Sequence, residues 1–270
     1  MVRIKNFAGL VLLLLIFIFS FSACSKQPVE KSEETPKTQV TLIVSAAASL
    51  RDPMNEIKDI YAKETQDVSV TCNFASSGSL QKQIENGADV DVFISAANKQ
   101  MDALEEEGLL EDGTKKTILG NSIVLVIPED SSLISSFEEL TQDKVKRIAL
   151  GEFKTVPAGQ YAEETFTNMN ILDTIKAKAV YGKDVKEVLN WVETGNVDAG
   201  VVYLSDAKTS QKVKQVAVAP EESHKPIVYP ASVIKSSKHK AEAKAFLDFL
   251  SSEKAKSVFE KYGFKFLESN

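Results

Sequence analysis

The chain has 270 residues, 43% of them hydrophobic, and a formal net charge of −6. That charge argues against nucleic acid or anionic lipid as a partner. Its two histidines, His224 and His239, are far apart in no metal-ligand spacing, which leaves metal chemistry with little support.

Arg3 and Lys5 precede an almost unbroken apolar run from Phe7 to Phe21, followed by Ser22-Ala23-Cys24. The run is too short for a comfortable membrane span and reads as the apolar region of a signal peptide, residues 1–23. Small residues directly before Cys24 resemble a lipobox, the signal at which bacterial lipoproteins are cleaved and acylated on cysteine, although Phe21 stands where Leu is usual. A spare cysteine is the bland alternative. Loss of Arg3 and Lys5 with the leader takes the net charge from −6 to about −8. Residues 24–39 are polar, with Pro28 and Pro36 and almost nothing apolar to bury, and read as a flexible tether.

Roughly 230 residues remain, enough for two lobes with their own cores. Strand-like runs at Val40 to Val44, Val68 to Phe74 and Val90 to Ser95 alternate with helical ones, in which Leu50, Met54, Ile57 and Tyr61 share a face. Gly87 and Gly108 mark helix ends. Cys72 lies in the second of these strands, and once Cys24 is acylated no internal disulfide can form. A second series begins at Ser122 to Ile127 and continues through Arg147 to Leu150, a helix from about Gly159, another from about Asp184, and Val197 to Tyr203. Val213 to Val218, Ile227 to Ile234 and two helical stretches, Lys240 to Leu250 and Ser252 to Tyr262, complete it. The rhythm predicts an α/β fold of two lobes, each a mostly parallel sheet flanked by helices, with a ligand cleft between them. The expected bounds are residues 40–121 and 230–270 for the first lobe and 122–229 for the second.

Two runs carry the clearest chemical signal. Val44-Ser45-Ala46-Ala47-Ala48-Ser49-Leu50 and Phe74-Ala75-Ser76-Ser77-Gly78-Ser79-Leu80 each pass from a strand into small and hydroxyl residues where a helix begins. Helix N-termini present unpaired N–H groups and partial positive charge, so two such turns on neighbouring strands suit a small anion. Ser49 also reads as a plain N-cap with Asp52 completing a capping box, while Pro53 makes an irregular first turn the expectation. Val156-Pro157-Ala158-Gly159 and Gly182-Lys183-Asp184-Val185 open two further helices. Tyr203 ends a buried strand, where its phenol is either a donor into the cleft or simple aromatic packing. Neither hydroxyl turn holds Lys or Arg. A cage of neutral donors selects a fully deprotonated dianion, because a protonated oxygen would leave a donor without an acceptor. The competing enzyme reading rests on Ser79-Leu80-Gln81-Lys82, a match to the S-x-x-K of penicillin-recognising enzymes with Ser79 as nucleophile and Lys82 as its base. Ser205-Asp206-Ala207 and Lys208-Thr209-Ser210 fit its companion motifs poorly.

From about Val40 to Phe264 the chain resembles the molybdate-binding proteins of bacterial ABC importers. The resemblance rests on Ala46-Ala47-Ala48-Ser49-Leu50, Phe74-Ala75-Ser76-Ser77, Asp91-Val92-Phe93-Ile94-Ser95-Ala96, Leu119-Gly120-Asn121-Ser122, Val156-Pro157-Ala158-Gly159, Val201-Val202-Tyr203, Glu222-Ser223-His224-Lys225 and Lys261-Tyr262-Gly263-Phe264, in that order. It implies a type II periplasmic-binding-protein fold closing over molybdate or tungstate. It further implies Ser49 and Ser77 as hydroxyl and backbone donors, Ala158 and Val185 as backbone N–H donors, and Tyr203 as a phenolic donor. The implied protein is a monomeric solute-binding lipoprotein, not an enzyme, without a cofactor. It would be anchored through Cys24 on the extracytoplasmic face of the membrane and would deliver its anion to a permease. Sulfate or phosphate is the alternative ligand.

Overall fold

The computed structural model of the chain describes residues 39–267. The expected leader, the acylation site Cys24 and nearly all of the tether lie outside the described residues. Two sheets organise what is described. The first holds β1 (Val40–Ala47), β2 (Val68–Ala75), β3 (Val92–Ile94), β4 (Lys116–Gly120), β10 (Val228–Val233) and β11 (Lys265–Phe266), in the order β11-β4-β10-β3-β1-β2. The second holds β5 (Ile123–Pro128), β6 (Ile148–Gly151), β7 (Ala179–Gly182), β8 (Ala199–Tyr203) and β9 (Val213–Val218), in the order β7-β6-β8-β5-β9.

The sheets are mixed, which corrects the expectation of mostly parallel ones. Strand β1 runs parallel to β2 and β3, and β6 parallel to β7 and β8. Strands β10 and β11 in the first sheet, and β5 in the second, pair antiparallel with their neighbours. The reason lies in how the chain passes between sheets. Only Asn121 and Ser122 separate β4 from β5, and residues 219–227 separate β9 from β10. Both connections pass from one sheet to the other, so β5 and β10 enter their sheets without the helical crossover that joins parallel neighbours within one sheet.

Helices α1 (Arg51–Glu64), α2 (Ser77–Glu85) and α3 (Asn98–Glu106) follow β1, β2 and β3, and α8 (Lys240–Phe249) and α9 (Glu253–Lys261) return to the first sheet. Helices α4 (Pro157–Asn168), α5 (Leu172–Lys176), α6 (Val185–Glu193) and α7 (Leu204–Ala207) belong with the second. The stripe predicted on α1 is real: Leu50, Met54, Ile57 and Tyr61 are all buried. Ile123, Val124, Leu125, Val126 and Ile127 are buried without a break, as a strand covered on both faces must be. Cys72 sits in β2 as expected, and burial pushes its thiol up to about 11, away from reactivity at neutral pH.

Candidate functional site

Four helix starts and one strand end meet where the two sheets face each other. They line one small pocket, formed by Ala47, Ala48, Ser49, Ser76, Ser77, Ala96, Val156, Pro157, Ala158, Val185 and Tyr203. Ser49, Ser77, Ala158, Val185 and Tyr203, the five residues singled out in the sequence, are therefore brought together at one cavity. No charged side chain lines it.

The first turn differs from the capping expectation. Ser49 lies inside a 3-10 turn, Ala48–Leu50, and caps nothing; α1 starts only at Arg51, after Leu50, with no side-chain cap. A proline at the third position of α1 fits this late, irregular start. Instead of capping, the Ser49 hydroxyl meets Tyr229 Oη at 2.9 Å, and both residues are buried.

The second turn is a regular helix start. Ser76 is the N-cap, its Oγ accepting from the Ser79 N–H at 3.3 Å. Ser77 is thereby placed first in α2, and its Oγ accepts the Ala96 N–H at 3.0 Å. That bond occupies an acceptor position on Ser77 and leaves its hydroxyl proton to donate elsewhere.

In the second sheet's half, Pro157 at the first position of α4 supplies a fixed φ and no N–H, so the Ala158 N–H is the first donor the helix presents. Gly159 permits this arrangement: a Cβ there would stand 2.1 Å from the Gly151 carbonyl oxygen of β6. Asp184 caps α6, accepting the Glu187 N–H at 3.0 Å, while Glu187 reaches back to the Lys183 N–H at 2.8 Å. Val185 follows as the first helical residue, where an N–H has no acceptor within the helix.

Tyr203 is 1% exposed, and its hydroxyl has no hydrogen-bond partner of ordinary geometry, although the Tyr229 phenol stands close to it. Burial, with the nearby Tyr229 phenol, pushes its pKa well above the ordinary tyrosine value, so it stays a neutral donor. A buried hydroxyl without a partner costs about 1–3 kcal/mol, and such groups survive where something else completes them. With N–H groups, hydroxyls and no acceptor of negative charge, the cavity suits one compact anion.

Contacts between the two halves surround the cavity. The Gly78 N–H donates to the Thr155 carbonyl at 2.9 Å, and Gln100 Nε2 to Gln160 Oε1 at 3.3 Å. Lys186, beside Val185, reaches Asp52 on α1 at 2.7 Å and Asp206 on α7 at 3.1 Å. Burial works against the Lys186 ammonium, but the two carboxylates outweigh it and hold its pKa above the usual lysine value. Burial pushes the Asp206 carboxyl up, with Lys186 opposing. No local signal marks this triad in the sequence, because its members are spread over three helices. Tyr229 and Asn121 were likewise missed as site residues. Asn121 stood in one of the runs that carried the resemblance, whereas Tyr229 has no neighbouring motif.

The serine-enzyme alternative does not assemble. Ser79 is bonded to Ser76 at 2.8 Å, and Lys82 is turned to Glu85 as an exposed ion pair. A base for the Ser79 hydroxyl is therefore not at hand.

Residues 42–265 match the family of bacterial extracellular solute-binding proteins. The chain is 43% identical over 225 residues to the molybdate-binding protein ModA of Haemophilus influenzae, covering 82% of this chain and 88% of that one. It belongs to the ModA family. A second relative within reach of this family is YvgL of Bacillus subtilis, named as a candidate ABC transporter substrate-binding lipoprotein, 44% identical over 96% of this chain and 98% of its own. Among solved structures, the substrate-binding domain of a candidate molybdenum ABC transporter from Clostridium difficile superposes with a TM-score of 0.67 at 50% identity, covering 85% of this chain and all of that one. ModA-family membership agrees with the two-lobed α/β fold and with a solute-binding protein.

Proposed function

We propose that the protein captures molybdate or tungstate outside the cytoplasmic membrane and presents it to the permease of an ABC importer. The observation that carries this reading is the convergence of neutral donors from both halves on one small cavity with no charged lining, where the Tyr203 hydroxyl is buried without a partner. The anion would take hydrogen bonds from the Ser49 and Ser77 hydroxyls and backbone, the Ala158 and Val185 N–H groups and the Tyr203 phenol. Its double charge would be met by the N-terminal dipoles of the helices rather than by a counter-ion. A monoprotonated phosphate brings one hydrogen too many for such a cage, which favours anions that are bare near pH 7.

In this reading residues 122–229 close as one lobe against residues 40–121 and 230–270, bending at the two connections between the sheets. The protein acts as a monomer, held at the outer membrane surface by a lipid on Cys24 with residues 24–39 as its tether. Names of the relatives support molybdate as the solute, and the lipoprotein name of YvgL supports the anchor.

Thermal melting in millimolar sodium molybdate, tungstate, sulfate and phosphate tests the reading. Ligand at a hundredfold above Kd adds about 2.7 kcal/mol of stability. Molybdate and tungstate are expected to raise Tm clearly and sulfate and phosphate far less. Equal shifts from all four would overturn the selectivity, and no shift from any would overturn the class.

A further inference from the structure

The Ser49 hydroxyl sits at the end of a chain of hydrogen bonds that begins at the Asn121 amide. The Ser122 N–H donates to Asn121 Oδ1 at 2.9 Å, which fixes which end of the Asn121 amide is oxygen. Asn121 Nδ2 then donates its two hydrogens, to Ser205 Oγ at 2.8 Å and to Tyr229 Oη at 3.2 Å. Tyr229 is fully buried and has one hydroxyl hydrogen. Its oxygen receives from Asn121 and lies 2.9 Å from Ser49 Oγ, a contact in which either hydroxyl can donate, with the Tyr203 phenol also beside it. When Tyr229 donates in this contact, Ser49 accepts and keeps its own hydrogen for the cavity.

We propose that Tyr229, its oxygen engaged by Asn121, donates to Ser49, so that Asn121 and Tyr229 are positioning residues that make Ser49 an obligate donor and set the protonation state of the anion the site accepts. The inference rests on the oxyanion reading above. Without the relay a serine hydroxyl is ambivalent, offering a lone pair to a protonated anion or a hydrogen to a bare one. With it, only the second is available. Ser77, whose oxygen already receives the Ala96 N–H, leans the same way through a backbone donor. The relay also starts in the two-residue connection between β4 and β5 and passes through β10, just beyond the second connection. The direction of the Ser49 hydrogen is thus tied to both places where the chain crosses between sheets, and to Ser205 on α7.

Two substitutions separate this role from ordinary packing. Tyr229→Phe keeps the ring against Phe264 and Tyr203 but removes the relay. By calorimetric titration with sodium molybdate it is expected to weaken binding about fivefold or more in the natural background and less than about twofold in Ser49→Ala, because the effect passes through Ser49. Asn121→Asp replaces the donor by a carboxylate that attracts the Tyr229 hydrogen, turning the relay around. The added charge weakens every anion, so the readout is the ratio of molybdate to phosphate affinity at pH 7, expected to fall by about tenfold or more. An equal loss from Tyr229→Phe with and without Ser49, together with an unchanged anion ratio in Asn121→Asp, would overturn the relay. If one variant fails to fold, the other decides alone. Failure of the unmodified protein to bind molybdate would instead remove the function on which the proposal stands, whereas binding that is weakened by Ser49→Ala but indifferent to Tyr229→Phe and Asn121→Asp overturns the relay only.

Discussion

Replacing Tyr203 by Phe should move stability and binding in opposite directions. In the free protein the phenolic hydroxyl is buried without a partner, so its removal relieves a desolvation penalty and leaves the ring packing intact. Stability should be unchanged or raised by about 1 kcal/mol. The anion complex loses a hydrogen bond to a charged group, worth about 1.5–3 kcal/mol. Taking about 2 kcal/mol, Kd rises roughly thirtyfold. At a molybdate concentration a hundredfold above the natural Kd, ligand stabilisation then drops from about 2.7 to about 0.9 kcal/mol. Urea unfolding with and without molybdate reads both quantities on one variant. A free protein made less stable, with ligand stabilisation undiminished, would mean that Tyr203 is a packing residue and that the donor argument fails.

Gly78→Ala should hinder closure, because its Cβ would stand 2.6 Å from the Thr155 carbonyl oxygen across the contact between the halves; molybdate binding weakens by about 1–3 kcal/mol by calorimetry, with unliganded stability nearly unchanged. Lys186→Met leaves Asp206 buried without its cation and should cost about 3 kcal/mol in urea unfolding, most of it restored by Asp206→Leu in the same chain. Asp52, more than a third exposed, contributes little to that figure. Burial raises the pKa of Tyr203 and Tyr229 well above the ordinary value. The folded state therefore keeps these protons where the unfolded chain releases them; their contribution is fully present below about pH 10 and is lost as pH rises above it. Unfolding measured from pH 8 to 11 should show that fall, reduced in Tyr203→Phe.

Features that rest on local physics are legible in the sequence. Helix starts carry their own signals, in the hydroxyls and small residues of the two turns, in Pro157 and in Asp184, and all four helix starts meet at the cavity. Period and run length were enough for α1 and β5. Features that depend on distant partners were not legible. Ser49 looks like an N-cap because its neighbours do, and only the fold brings Tyr229, 180 residues away, against its hydroxyl. Asn121 and Tyr229 are separated by 108 residues, and the Asp52–Lys186 pair by 134. The direction of the outer strands escaped for a related reason: β4 is half polar, with Lys116 and Thr117 leading, and its two-residue passage into β5 hides a change of sheet.

A crystal structure of the molybdate complex would locate the anion and its donors. One tetrahedral anion is expected in the cavity, with oxygens about 2.7–3.2 Å from Ser49 Oγ, Ser77 Oγ, the Ala158 and Val185 nitrogens and Tyr203 Oη, and no lysine or arginine in contact. An anion held elsewhere, or bound in this cavity through a charged side chain, would contradict it.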